Sequence, residues 1–351
     1  MKNVNDRGFF DEQFRLEKIS RQNDPLILLK ELIPWYIFKE TLDEVFRKKN
    51  KGIGGREPYD YLLMFKILIL QRYYNLSDDQ TEYQILDRLS FMRFLDLKLS
   101  DKVPDSKTIW LFREALTNSE KIEDLFNLFR DQLTKHGYIG REGKIVDASF
   151  VEVPRQRNTR EENQQIKEGE VPDSWQKNKH KESQKDVDAS WTKKNNVSFF
   201  GYKDHTKVDN KGKLIETYAV TVASVHDSQA LGFLLEDGDN GQGFYGDSAF
   251  TGIEQEKIIE KKGMKNFVNE KGYKNNPLTD EQKASNKEKS KIRARVEHVY
   301  GFIENSMNGS FIKSIGFIRA EGIIGLINLT YNLFRYIQLR KMNFAGIGMP
   351  V

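Results

Sequence analysis

The hydrophobic period of this chain changes at Gly143, so one class of secondary structure cannot serve both halves. From Pro58 the apolar residues Tyr61, Leu62, Phe65, Leu68, Ile69 and Tyr73 recur at three- and four-residue steps, the spacing of one helix face. Asn75-Leu-Ser-Asp-Asp79 supplies a turn and an N-cap before a helix over 80–89, and a short apolar piece follows at 91–95. Pro104-Asp-Ser-Lys-Thr108 caps another helix over 109–116, and 122–136 reads as one more amphipathic helix. Beyond Gly143 the segments 144–153, 198–208 and 213–225 are rich in β-branched and aromatic residues and read as strands. The turn Asp209-Asn-Lys-Gly-Lys213 favours a hairpin between the last two. Helix 228–235, strand 243–248, helix 252–262 and strand 265–269 complete the pattern.

Three meandering strands followed by alternating helix and strand predict an α/β fold: a mixed five-stranded sheet with flanking helices, preceded by an all-α N-terminal domain. The divisions expected are an N-terminal arm with helices over 1–56, a helical domain over 57–140 and a sheet domain over 141–345. A polar, almost strandless insertion at about 155–197, carrying Trp175 and Trp191, interrupts the sheet domain. The cluster Lys51-Gly-Ile-Gly-Gly55 reads as a hinge or turn. A last long helix is expected over 279–307, with Ile292, Val296, Val299, Ile303 and Met307 on one stripe. Arg293, Glu297 and Glu304 form a second stripe at its edge. The apolar stretch 323–334 is broken by Asn328, Thr330 and Asn332 and reads as a core helix, too short to cross a bilayer.

A chain of 351 residues with 38% hydrophobic and 12% aromatic content can bury a sizeable core. It has no cysteine, which excludes a disulfide framework and thiolate metal sites and leaves oxygen ligands for a metal. The residues after Met1 are charged and offer no secretory core, so a cytoplasmic protein with no membrane partner is expected. Formal charge is only +4, but it is unevenly placed: 261–295 holds eleven Lys/Arg against four Asp/Glu, and 177–213 ten against five. Charge alone leaves these as solvated surfaces or phosphate-binding patches.

Three acidic residues stand out. Asp147 interrupts the strand Lys144-Ile-Val-Asp147-Ala-Ser-Phe-Val151, where a lone charge must be paired, hydrogen-bonded or metal-bound. Asp247 sits at the end of another strand and Glu297 on the last long helix. The order Asp, Asp, Glu suits metal-dependent phosphodiester chemistry. Two hard divalent ions about 3.5 to 4 Å apart activate the nucleophile, stabilise the leaving oxygen and neutralise the charge between them. Mg2+ needs few protein ligands, all oxygen, so three carboxylates on different elements suffice. In that scheme Asp147 bridges both ions, Asp247 and Glu297 each hold one, and Arg293 orients Glu297 and touches phosphate. Spacing also allows a plainer reading, with Glu297 and Arg293 as a helix ion pair and Asp247 in an ordinary strand-ending turn.

The stretches Ile145-Val-Asp-Ala-Ser149, Val153-Pro-Arg-Gln-Arg-Asn-Thr-Arg-Glu-Glu-Asn163, Ser198-Phe-Phe-Gly-Tyr-Lys-Asp-His205, Val222-Ala-Ser-Val-His-Asp-Ser228, Tyr245-Gly-Asp-Ser-Ala-Phe250 and Arg293-Ala-Arg-Val-Glu-His-Val-Tyr-Gly301 closely resemble bacterial DDE transposases of the insertion-sequence-five group. The resemblance runs from 57 to about 340. It implies a ribonuclease-H-like catalytic domain with catalytic and metal-binding residues at Asp147, Asp247 and Glu297. It further implies two Mg2+ ions with Mn2+ as a substitute, double-stranded DNA (terminal inverted repeats and target) as substrate, and a homodimer on paired ends. The expected activity is cleavage of the element's ends to 3′ hydroxyls and their joining to target DNA. A nuclease of the same fold that never joins ends, or a DNA-binding remnant, is the alternative. One related signature departs here, because Ser290 stands at its Tyr position and Glu304 at its Lys position. DNA contacts are expected from Lys289, Lys291, Arg293, Arg295 and Lys203, the first four beside the site. His205 and His226-Asp227 fall near the site without an assigned role, and His298 reads as structural.

Overall fold

The computed structural model describes residues 10–47, 57–273 and 276–342; the Lys51–Gly55 cluster lies outside them. Eight helices come first: α1 (Asp11–Ser20), α2 (Pro25–Leu32), α3 (Lys39–Phe46), α4 (Tyr61–Tyr73), α5 (Asp78–Asp87), α6 (Leu89–Leu95), α7 (Ser106–Asn118) and α8 (Ile122–Lys135). The starts of α4, α5 and α7 are written in the sequence. Asp60 accepts the Leu63 N–H at 2.8 Å, Ser77 and Gln80 form a reciprocal capping box, and Asp105 accepts the Thr108 N–H at 2.7 Å. Phe38, Phe65, Phe91, Phe94 and Phe129 fill the space between them.

Strand β1 (Gly143–Glu152) then opens a six-stranded sheet. The insertion contributes α9 (Arg160–Lys167), α10 (Asp173–Gln176), α11 (Lys179–Glu182) and strand β2 (Ser190–Lys194). Next come β3 (Val197–Asp209), β4 (Ile215–Val222), α12 (Leu231–Leu234), β5 (Gly243–Tyr245), α13 (Ile253–Lys261), β6 (Lys265–Asn266), α14 (Asp280–Arg293), α15 (Glu297–Met307) and α16 (Phe317–Lys341). β3 pairs antiparallel with β1, β4 and β2, whereas β5 runs parallel to β1 and β6 parallel to β5. Setting β2 aside, the order β4-β3-β1-β5-β6, with the first three strands meandering and the last two parallel to β1, is the ribonuclease-H-like arrangement. The sheet is mixed α/β as expected, but its sixth strand comes from the insertion, whose polarity hides it. Part of that insertion closes on itself: buried Glu162 accepts hydrogen bonds from Trp175 Nε1, Ser174 and Lys181.

Alternation along β1 assigns its two faces. Val146 and Phe244 join a small core under α12 and α13, while Ile145 and Val151 face the main core that α15 and α16 help build. Asp147, two residues from Ile145, therefore points to the α15 side. α16 links the sheet to the helical layer, touching β4 on one side and α4, α7 and α8 on the other. Its buried Asn332 brackets Ile215, accepting from the backbone N–H at 2.9 Å and donating to the carbonyl at 2.7 Å. Asn328, which donates to Asp204 at 3.1 Å, and Asn332 are thus sheet contacts, whereas Thr330 bonds back to the Leu326 carbonyl of its own helix. No helix among the described residues is long and apolar enough to cross a membrane.

The single long helix expected over 279–307 is broken. α14 ends at Arg293, a 3₁₀ turn occupies Ala294–Val296, and α15 starts at Glu297. A 3₁₀ turn advances about 120° per residue against about 100° in an α-helix, so three residues add roughly 60° of rotation. Arg293 and Glu297 consequently leave the shared stripe that unbroken helical spacing predicts.

Candidate active site

The parallel register of β1 and β5 builds the centre of the site. Gly143 lies opposite Gly243, Lys144 opposite Phe244 and Ile145 opposite Tyr245. Pairing stops there, and each chain carries an aspartate two residues further on, Asp147 and Asp247. Neighbouring strands lie about 4.8 Å apart, so the two carboxylates project from adjacent positions. Asp247 caps the 3₁₀ turn Ser248–Phe250, its Oδ1 accepting the Ala249 N–H at 2.8 Å. Asp147 Oδ1 accepts the Ala148 N–H at 2.9 Å, and its Oδ2 lies 3.7 Å from Arg293 Nη1. Burial pushes the Asp147 carboxyl above its ordinary range, and the Asp247 charge pushes the same way. The Ala148 N–H, Arg293 and the more distant Lys194 act against that rise.

Tyr300, one turn into α15, locks this part of β1. Its hydroxyl donates to the Asp147 carbonyl at 2.8 Å and lies 2.8 Å from Thr206 Oγ1. A phenol has one proton, so with that proton on the carbonyl it is Thr206 that donates to the phenol oxygen. Burial, reinforced by the Asp147 charge, holds this hydroxyl protonated well beyond its ordinary range.

Glu297 does not join the two aspartates. It is exposed at the first position of α15, and among the described residues no three His, Asp or Glu side chains are arranged to hold a metal ion. The three-carboxylate pocket expected from the sequence is not formed among the described residues: the 3₁₀ turn separates Glu297 from the face that Arg293 presents to Asp147. Two adjacent carboxylates, partly desolvated and mutually repelling, are a donor set that a hard divalent cation relieves. Asp147 and Asp247 fit such an ion; Glu297 contributes nothing to it in this arrangement.

The basic residues expected at DNA divide sharply. Lys291 is exposed and paired only with Glu288 on its own helix, at 2.6 Å. Arg295 is exposed and donates to the Asn210 carbonyl at 2.8 Å. Lys289 is mostly covered, donating to the Val268 carbonyl at 3.1 Å. Arg293 faces Asp147. Lys203 is a correction: it is buried on β3, where its ammonium bonds Asp227 and the Val225 carbonyl, each at 2.7 Å. A cation held this way is a structural ion pair with no charge to offer a phosphate. His205, also buried, bonds Thr221, and burial lowers its ring to about 4, so it is neutral near pH 7. His226 caps the turn at Asp227–Ala230, and His298 is exposed.

Two family models match this chain. Residues 14–115 match the family model "Transposase domain (DUF772)", and residues 139–333 match "Transposase DDE domain". Among solved structures, a cryo-EM structure of the piggyBac transposase synaptic complex with hairpin DNA is similar at 14% identity and a TM-score of 0.46, covering 93% of this chain and 77% of that one. The second model spans more than half of the chain and contains both strand-end aspartates, and on that match this protein belongs to the DDE transposase family.

Proposed function

We propose that this protein binds the terminal inverted repeats of its own insertion sequence, cleaves the ends by metal-dependent hydrolysis to leave 3′ hydroxyls, and joins them to target DNA by transesterification. The observation that supports the reading is the position of Asp147 and Asp247, each two residues past the last pair of the parallel strands β1 and β5, with the Arg293 guanidinium beside Asp147. These two aspartates would hold Mg2+, or Mn2+ in its place, and Glu297 would complete the set when the 3₁₀ turn at 294–296 rewinds, such turns being common hinge points. The ion, when bound, supplies Lewis-acid polarisation of the phosphate and a stronger oxygen nucleophile. Asp147 and Asp247 orient it against the strand ends. Arg293 moves from carboxylate to phosphate, two partners that its planar fork fits equally. Lys291 and Arg295 bind flanking phosphates, and the helical domain over 57–140 recognises the repeat through a helix in the major groove. Two copies act on paired ends in the bacterial cytoplasm.

The test uses DNA carrying the inverted repeats that flank the gene, incubated with the full chain and Mg2+. Cleavage at the repeat boundary followed by joining to a target plasmid supports the proposal. Cleavage without joining of precut ends identifies a nuclease, and binding with neither reaction identifies a remnant; either outcome overturns it.

A further inference from the structure

α15 is fastened to β1 at two places. At its far end the chain that follows it lies along β1, with the Glu152 N–H donating to the Ser310 carbonyl at 2.8 Å and the Ile312 N–H donating to the Glu152 carbonyl at 2.9 Å. Near its start the Tyr300 hydroxyl fastens it to the Asp147 position, engaging both sides of the β1–β3 rung where Asp147 faces Thr206. We propose that Tyr300 is a positioning residue: its hydroxyl, shared between the Asp147 carbonyl and Thr206, fixes the stretch of β1 that carries the Asp147 carboxylate.

This inference rests on the metal-dependent reading above and goes beyond it, since Tyr300 touches neither phosphate nor ion. Tyr300→Phe keeps the ring and its packing and deletes only the bridging hydroxyl. Thr206→Val deletes the other arm while leaving the bond to Asp147, so its effect is smaller and of the same kind. A group that orients a metal ligand from behind typically contributes about 10- to 100-fold to metal affinity or activity.

The experiment compares the full-length wild type, Tyr300→Phe and Thr206→Val in three measurements. These are Mg2+-induced thermal stabilisation, the Mg2+ dependence of repeat cleavage, and DNA affinity without metal. The expected result for Tyr300→Phe is a Mg2+ midpoint raised about tenfold or more in both metal titrations, with metal-free DNA affinity unchanged. Thr206→Val shifts the midpoint less, and carries the test alone if Tyr300→Phe does not fold. Variants that melt earlier but keep the wild-type Mg2+ midpoint show a merely structural hydroxyl and overturn the proposal. A wild type with no Mg2+ response in either titration overturns the functional reading itself, and this inference with it.

Discussion

Asp147 on β1 and Asp247 just beyond the end of the parallel strand β5 each lie two residues past the last paired position, where Ile145 lies opposite Tyr245, and the Asp247 charge acts on the Asp147 carboxyl. Two like charges in that position oppose folding unless a cation sits between them or a guanidinium stands nearby, and Arg293 stands 3.7 Å from Asp147. A native protein keeps such a pair where function outweighs stability.

Asp147→Asn should therefore separate activity from stability. Losing the charge leaves the Ala148 N–H an acceptor and removes both the desolvation cost and the repulsion from Asp247. Melting at neutral pH should occur above the wild-type temperature, while Mg2+-dependent cleavage falls by about a thousandfold or more, which is roughly 4 kcal/mol of lost transition-state stabilisation. Calorimetry and a cleavage time course check both. A variant that cleaves at the wild-type rate removes Asp147 from the site.

Lys291 and Lys203 should behave oppositely although both lie in basic stretches of sequence. Lys291→Ala should lower DNA affinity and flatten the log affinity against log salt slope by about 1. Lys203→Ala should leave that slope unchanged and destabilise the fold by about 3 kcal/mol or more, because Asp227 loses its buried partner. Salt titrations of DNA binding with matched melting curves distinguish the two.

Buried Asp204 gives a pH dependence of known sign. Burial pushes its carboxyl up to about 7, and the hydrogen bond from Asn328 Nδ2 only partly offsets this. A carboxyl with a folded value above its unfolded one contributes fully below the unfolded pKa, near 3.8, and its contribution is lost as pH rises towards 7. Within that window the wild type should lose roughly 1 kcal/mol per pH unit from this group. Asp204→Asn keeps the acceptor for Asn328 and should match the wild type near pH 4 yet exceed it at pH 8. Denaturant midpoints at the two values settle the matter, and an equal deficit at both would show that the residue acts by packing.

Much of this fold was legible because local period and tertiary burial agree. The strand segments around Asp147 and His205 are rich in β-branched and aromatic residues, and the caps at Ser77 and Asp105 are local chemistry. The break at Ala294–Val296 was not legible, since Ile292, Val296, Val299, Ile303 and Met307 keep a helical stripe through a single tight turn. Glu297 was therefore assigned the face of Arg293. Lys203 looked like a surface cation because its partner, Asp227, follows the next strand and meets it only once β3 and β4 are in register. The role of Tyr300 is hidden for a related reason: an aromatic beside a buried helix stripe reads as packing, and nothing local shows that its hydroxyl reaches a carbonyl 153 positions away.

The central claim is that the paired strand-end aspartates seat a divalent cation. Iron-directed cleavage of the polypeptide tests it most directly: Fe2+ replaces Mg2+, and ascorbate with peroxide generates radicals that cut the chain beside the bound ion. The account predicts cuts next to Asp147 and Asp247, suppressed by excess Mg2+ and absent in Asp147→Asn, with further cuts near Glu297 once repeat DNA is bound. Cuts confined to other segments, or a pattern that Asp147→Asn leaves intact, would contradict it.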